Sequence, residues 1–359
     1  MTNRERIVRT LGSKETDRAP FCYWFGYMPW EKTLARWREE SGIGDLDIEK
    51  YFGFEPYFQF VPVEYGPVPH FETKIIEQKG NYITQTDYRG LTYRDNLESF
   101  SIPEFIDNPV KTVDDWEVYK KERLQLRLEE RTAKVEEFAE RAKRVDAPIQ
   151  IGNFPWGVFG TARDILGVER MMLCFYDREE LMRDIMETYT SLWLRIYERV
   201  NEVVQIDHIL LWEDMSGKQG SMISMEMVEE FMMPQYERIA EFCRRCNVAG
   251  FSVDSDGSVD ELVPVMMRHG VNAYTPFEVQ AGSDVEEYLR KYPELGIYGG
   301  LDKNALAMGR EAIDKELEKC ERMLAGGGYI PGFDHLIPPN VAWEDYEYAV
   351  NELRRMIGA

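Results

Sequence analysis

The chain has 359 residues, 44% of them apolar, with a formal net charge of −22 and only four histidines. That apolar fraction supplies a sizeable core, and no uninterrupted apolar run approaches the roughly 20 residues a membrane span needs. The acidic balance excludes nucleic acid, or a membrane surface, held as a partner by a general electrostatic field. Residues 1–7 carry charges with no apolar run behind them, which predicts a cytoplasmic protein rather than a secreted one. Five sparse cysteines agree with that compartment. Cys243 and Cys246 form a C-x-x-C inside a helical run, with no second pair, and read as plain thiols.

In chain order, residues 2–11 predict a helix, 21–25 a strand and 29–40 a second helix. Residues 61–96 alternate polar and apolar between the turn signals Lys79-Gly80 and Arg89-Gly90, which predicts a β-hairpin excursion. A charge-dense helical stretch covers 112–145. Residues 148–153 form the next strand, followed by short helices at 161–167 and 168–176 and a long one at 178–204. Strand 207–212, helix 225–246, strand 251–253, helix 259–267 and strand 271–277 continue the alternation. Helix 285–292, strand 296–299, helix 310–325, strand 329–333 and helix 341–356 complete it. With a less regular strand near Tyr57, about eight strands alternate with helices, and no Gly-x-Gly-x-x-Gly opens any helix. The pattern predicts an α/β protein, a (β/α)8 TIM barrel forming one domain over 1–359.

In such a barrel the residues that follow the strands share one mouth. Here they are Asn153, Glu213 and Asp214, Asp254 and Asp256, Glu278, Asp302, and Asp334 with His335. An Asp after a strand is also a common helix N-cap, which is the competing reading for Asp256 and Asp302. His70, His208 and His269 read as structural; His335, ringed by carboxylates, reads as functional. Asp254, Asp256, Glu278 and His335 make an oxygen and nitrogen set suited to a metal such as zinc. The same crowding suits acid–base chemistry, and without a metal it should raise at least one carboxyl pKa. Asp254, Glu278, His335, Glu213 and Asp214 are the catalytic candidates. Tyr23, Phe25, Tyr27, Asn153, Trp156 and Asp302 are the candidates for holding a flat, apolar small-molecule substrate.

Several stretches together resemble the uroporphyrinogen decarboxylase superfamily, which also holds corrinoid-dependent methyltransferases. They are Asp17-Arg-Ala-Pro20, the run from Glu213 to Ser224, Val253-Asp-Ser-Asp-Gly257, Pro276-Phe-Glu278, Gly299-Gly-Leu-Asp302 and Gly327 to His335. The resemblance implies a (β/α)8 barrel. True decarboxylases carry an arginine-rich RQAGR motif after the first strand, where this chain reads Tyr23-Trp-Phe-Gly-Tyr-Met-Pro-Trp30, without arginine. The family's active-site tyrosine falls near Thr161 and its serine at Asp214; its histidine persists as His335. The zinc-binding His-x-Cys and distant Cys of the thiol-directed methyltransferases fall on Asp254, Asp256 and His335. Loss of thiolates points to the O-demethylase-like branch. That branch implies methyl transfer from a small, perhaps aryl, ether to a corrinoid carried by a partner protein. Uroporphyrinogen decarboxylation is the alternative activity, and a non-catalytic tetrapyrrole- or corrinoid-binding protein the alternative of another class. A homodimer is compatible with either.

Overall fold

A computed structural model of the protein describes residues 1–97 and 102–359. Its strands, in chain order, are β1 (Gln59–Phe60), β2 (Lys74–Lys79), β3 (Tyr82–Thr86), β4 (Thr92–Asn96), β5 (Glu104–Asp107), β6 (Ile149–Ile151), β7 (His208–Trp212), β8 (Ser216–Gly217), β9 (Gly220–Ser221), β10 (Gly250–Asp254), β11 (Ala273–Thr275), β12 (Gly296–Tyr298) and β13 (Tyr329–Ile330). Seven of them form one curled parallel sheet in the order β1-β6-β7-β10-β11-β12-β13. Helices follow most of these strands, as parallel connections require. One buried apolar cluster runs from Ile7 to Ile357.

The expected strand at 21–25 differs. Cys22 makes a single parallel bridge to Glu55, and Phe25–Tyr27 turns into a 3-10 helix. Trp24 and Tyr27 are the reason. Their Nε1–H and O–H both donate to the Pro331 carbonyl, 3.3 and 3.0 Å away, so side chains replace a ladder at that edge. The sheet therefore has seven strands where the alternation suggested eight.

The hairpin excursion is a four-stranded antiparallel sheet, β2-β3-β4-β5, reaching Asp107 rather than ending near 96. The sequence Ser101-Ile102-Pro103 reads as the exit from this excursion, and Ser101 lies outside the described residues. The helical stretch 112–145 is broken into Val113–Arg123, Leu128–Arg131 and Val135–Ala142. Thr112 and Asp115 form a capping box at its start. The break has a visible cause. Arg131 is 1% exposed, and its guanidinium donates to the carbonyls of Glu64, Gly66, Arg123 and Gln125. A continuous helix would have kept the Arg123 and Gln125 carbonyls for itself.

Among the described residues no helix is long and apolar enough to cross a membrane. All five cysteines are free thiols.

Candidate active site

Side chains alternate along a strand, so each strand of the parallel sheet sends every second residue to the inner face. On β10 these are Gly250, Ser252 and Asp254. Register pairs Asp254 with Trp212 of β7 on one side and Thr275 of β11 on the other. That row forms one wall of a cavity of about 760 Å³. Tyr23, Trp24, Phe25, Tyr57, Phe154 and Tyr298 supply its aromatic lining. Among the described residues its carboxylic acids are Asp254 and Glu49, and no lysine, arginine or histidine lines it.

Asp254 is half-buried, and its carboxyl makes no hydrogen bond or ion pair among the described residues. Burial, reinforced by the charges of Asp256 and Asp214, holds its pKa well above the ordinary carboxylate range. This is the raised carboxyl that crowding predicted, with burial as the larger cause.

One layer deeper lies a closed polar network. Gln150 donates its amide to the Gly152 carbonyl at 3.0 Å, so its oxygen faces His208 Nδ1 at 2.8 Å. His208 therefore carries its proton on Nδ1 and accepts at Nε2 from the Ser252 hydroxyl. Tyr298 in turn donates to Ser252 Oγ at 2.6 Å. Phe58 stacks on the imidazole, with centroids 4.5 Å apart. Gly250 makes the space: a Cβ there would stand 2.4 Å from His208 Cδ2. Burial lowers the His208 pKa to about 3, so it stays neutral.

A histidine neutral when folded and ordinary when unfolded binds more protons in the unfolded state between those two values. Its contribution is present above about pH 6.5 and lost as pH falls towards 3, at about 1.4 kcal/mol per unit. His208→Gln is expected to flatten this acid limb by about one proton. Urea unfolding at pH 4 and pH 7 measures it, and an unaltered slope would contradict a neutral His208.

The remaining candidates separate into distinct places. Tyr23, Phe25 and Asn153 line the cavity. Tyr27 and Trp156 do not: Tyr27 is fully buried on Pro331, and Trp156 fills the space over Gly66, where a Cβ would stand 2.1 Å from its ring. Asp302 caps the turn at Asn304 N (2.8 Å) and accepts from Gln280 (2.9 Å), the capping role that competed for it. Glu213 is 0% exposed and sits under the N-terminus of helix Val158–Leu166. It accepts from Val158 N (2.9 Å), Phe159 N (2.6 Å), Gly160 N (3.1 Å) and the Tyr236 hydroxyl (2.7 Å). All four of these contacts are to the protein itself, and Glu213 is not part of the cavity lining.

Asp214 adopts φ +42° and pairs with Arg163 at 3.0 Å, which lies over the Trp212 ring. It faces a second cavity, of about 400 Å³, beyond Trp212 and Phe154. Thr161, at the family's tyrosine position, is buried and accepts from Gly157 N.

The four metal candidates do not converge. His335 Nε2 lies 3.7 Å from Asp256. Glu278 is turned to Gly257 N (3.1 Å), with Lys303 at 3.9 Å, and Lys303 also stands 3.5 Å from the fully buried Asp334. Asp254 stays on the cavity wall. Among the described residues no three His, Cys, Asp or Glu side chains gather closely enough for a metal ion. The Lys303 ammonium stands beside Glu278 and Asp334 and balances their charge. The His335 ring packs edge-on 5.7 Å from that of Phe25, a residue of the cavity lining.

Sequence reasoning missed Thr275, Tyr298, Tyr57 and Gln150, and read His208 as plainly structural. A signal existed. Gln150, His208, Ser252 and Tyr298 are polar residues in otherwise apolar strands, where both faces of a parallel strand are expected to be buried.

The curated proteins offer no match to this chain. Among solved structures it is similar to a methyltransferase from Methanosarcina mazei, at 16% identity and a TM-score of 0.59, with each chain covered in full. At that identity the likeness speaks to fold. The family model described as "Uroporphyrinogen decarboxylase (URO-D)" matches residues 96–356, well over half of the chain. With the parallel sheet and the cavity at its strand ends, this chain belongs to the uroporphyrinogen decarboxylase family.

Proposed function

We propose that the protein is a methyltransferase, which takes a methyl group from a small aryl methyl ether and passes it to a corrinoid on a partner protein. We read its sheet as a (β/α)8 barrel in which Cys22 marks the reduced first strand. The observation that carries the functional reading is the cavity lining: aromatic, free of basic side chains among the described residues, with the Asp254 carboxyl, half-buried and without a partner, on its wall. The similarity to a methyltransferase from Methanosarcina mazei agrees with methyl transfer.

A bound corrinoid would supply a nucleophilic cobalt as the methyl acceptor. The half-exposed Phe60 and more exposed Phe154 give the cavity rim an apolar edge suited to a flat macrocycle. Among the described residues no histidine or cysteine lines the cavity to ligate cobalt, which favours a corrinoid carried by the partner. The chain's own residues then do three things. The aromatic side chains hold the ring and exclude water. Asp254, protonated because burial favours its neutral form, donates to the ether oxygen as the O–CH3 bond breaks and its electron pair stays on oxygen. Asp256, whose charge acts on Asp254, returns the proton between turnovers, with His335 Nε2 3.7 Å from Asp256.

Decarboxylation is the weaker reading. Eight substrate carboxylates would meet a cavity whose only charged groups are acidic, and like charges repel in such a site. The test is liberation of phenol from 2-, 3- and 4-methoxyphenol or methoxybenzene in the presence of reduced free corrinoid, read by chromatography. Phenols or diols should accumulate in step with methylated corrinoid. Conversion of uroporphyrinogen without phenol release would overturn the proposal. Binding without any turnover would favour the carrier reading.

A further inference from the structure

The cavity wall that holds Phe154 and Trp212 has a second side. Both residues also line the neighbouring cavity of about 400 Å³, so the two spaces meet across one pair of rings. Phe154 is 64% exposed and stands edge-on to Trp212, with centroids 4.6 Å apart. Trp212 is registered against Asp254 on β10, so this wall begins beside the unpartnered carboxyl. The charge of Asp214, in the lining of the second cavity, is felt at Asp254.

The two cavities differ in charge. Among the described residues the first has no basic side chain in its lining, whereas the second has Arg89 and Arg163. Arg163 lies over the Trp212 ring, its guanidinium carbon 4.8 Å from the centroid. Asp214 takes only its Nη1, through the carbonyl and, at 3.0 Å, the carboxylate. Nε and Nη2 make no hydrogen bond among the described residues, and neither is a fully buried atom. Arg89, by contrast, is taken by Asp87 through Nε and by Asp164 through Nη1. At 13% side-chain exposure, Arg163 is not a surface arginine with its head in bulk water. Its open edge carries two parallel N–H groups, the arrangement that binds a carboxylate through two hydrogen bonds.

We propose that the second cavity is a substrate subsite, in which Arg163 grips, through Nε and Nη2, a carboxylate borne on a second ring of the aryl methyl ether. This rests on the ether reading above. The methoxy ring lies beside Asp254 in the first cavity, and the substrate crosses the wall where the exposed Phe154 turns aside. Arg163 and Arg89 are each paired with an aspartate of the same lining, so selection comes from two aimed N–H groups and not from net charge. One anionic group is accommodated, because one guanidinium edge is open and Asp164 and Asp214 repel further ones.

The probes are 4-(4-methoxyphenyl)benzoate and 4-(4-methoxyphenyl)benzamide, alike in shape and different in charge, with methoxybenzene as the short probe. Dissociation constants are measured by calorimetry on the full chain. The wild type should prefer the benzoate about tenfold, the scale of hydrogen bonds to a charged group. Arg163→Gln should abolish that preference and leave methoxybenzene bound as before. Asp214→Asn should raise it, because the competing carboxylate is gone while asparagine keeps the positive φ there. Opposite signs in the two variants exclude a merely structural role, which would weaken binding in both. The benzoate should also displace methoxybenzene. Equal wild-type affinity for benzoate and benzamide, or a preference that survives Arg163→Gln or falls in Asp214→Asn, overturns the inference and leaves the ether reading standing. Benzoate binding that does not displace methoxybenzene does the same. Failure of methoxybenzene to bind overturns both.

Discussion

Asp254→Asn is expected to lower the methyl transfer proposed above at least about a hundredfold, the usual scale for loss of a positioned general acid, and to leave the protein folded. The amide keeps the size of the carboxyl but has no proton to give. Wild-type activity should fall as pH rises through the raised pKa of Asp254, because only the protonated form donates. Stability supplies an independent check. A carboxyl whose folded pKa lies above its unfolded value of about 3.9 adds stability that is full below that value and lost as pH rises through the folded one. Asp254→Asn removes this loss. It should match the wild type near pH 4 and exceed it at pH 7, as read by urea unfolding at both. A variant less stable than the wild type at pH 7 would mean that the carboxylate is charged and paired, and the proton-donor role would have to be abandoned.

The largest effect on stability is expected at Glu213→Ala, at about 4 kcal/mol or more, since four buried donors lose their acceptor at roughly 1–3 kcal/mol each. Helix Val158–Leu166 begins at Gly157, which has no side chain to cap it. Glu213 does that work from the end of β7, and its charge also suits the positive end of the helix. Gly157 leaves the room: a Cβ there would lie 2.7 Å from Glu213 Oε2 and 2.1 Å from the Trp212 carbonyl. Removing the carboxylate strands three backbone N–H groups and the Tyr236 hydroxyl without water. Glu213→Gln should fall between the two, since its single carbonyl oxygen still accepts. Urea unfolding decides, and a loss under about 1 kcal/mol for the alanine variant would show that solvent reaches the helix end.

Glu213 and Asp254 looked alike in the sequence, each an acid at the end of an apolar strand. Burial and partners divide them. Four donors hold Glu213 as a cap, whereas Asp254 faces a cavity with none. No local pattern could distinguish these fates, because the donors of Glu213 come from residues more than twenty positions away. The same holds for the four metal candidates. Their spacing along the chain suits a ligand set, but Gly257 N and Lys303 capture Glu278 before it can turn towards Asp254.

Hydrophobic periodicity and turn residues by themselves determined the alternation of helices and strands, the parallel sheet, the antiparallel excursion, and the end of the sheet where the acids gather. These are local properties, since the repeat of 2 or 3.6 residues dictates which face is apolar. The tertiary structure alone decided that the segment around Cys22 would be a bridge rather than a strand, because Trp24 and Tyr27 bind the Pro331 carbonyl some three hundred residues away. It alone decided that Asp302 caps a turn, that Tyr27 and Trp156 are core, and that His208 is locked neutral between Gln150 and Ser252. Each of these depends on which distant donor or acceptor arrives within about 3 Å, and on whether water is excluded when it does.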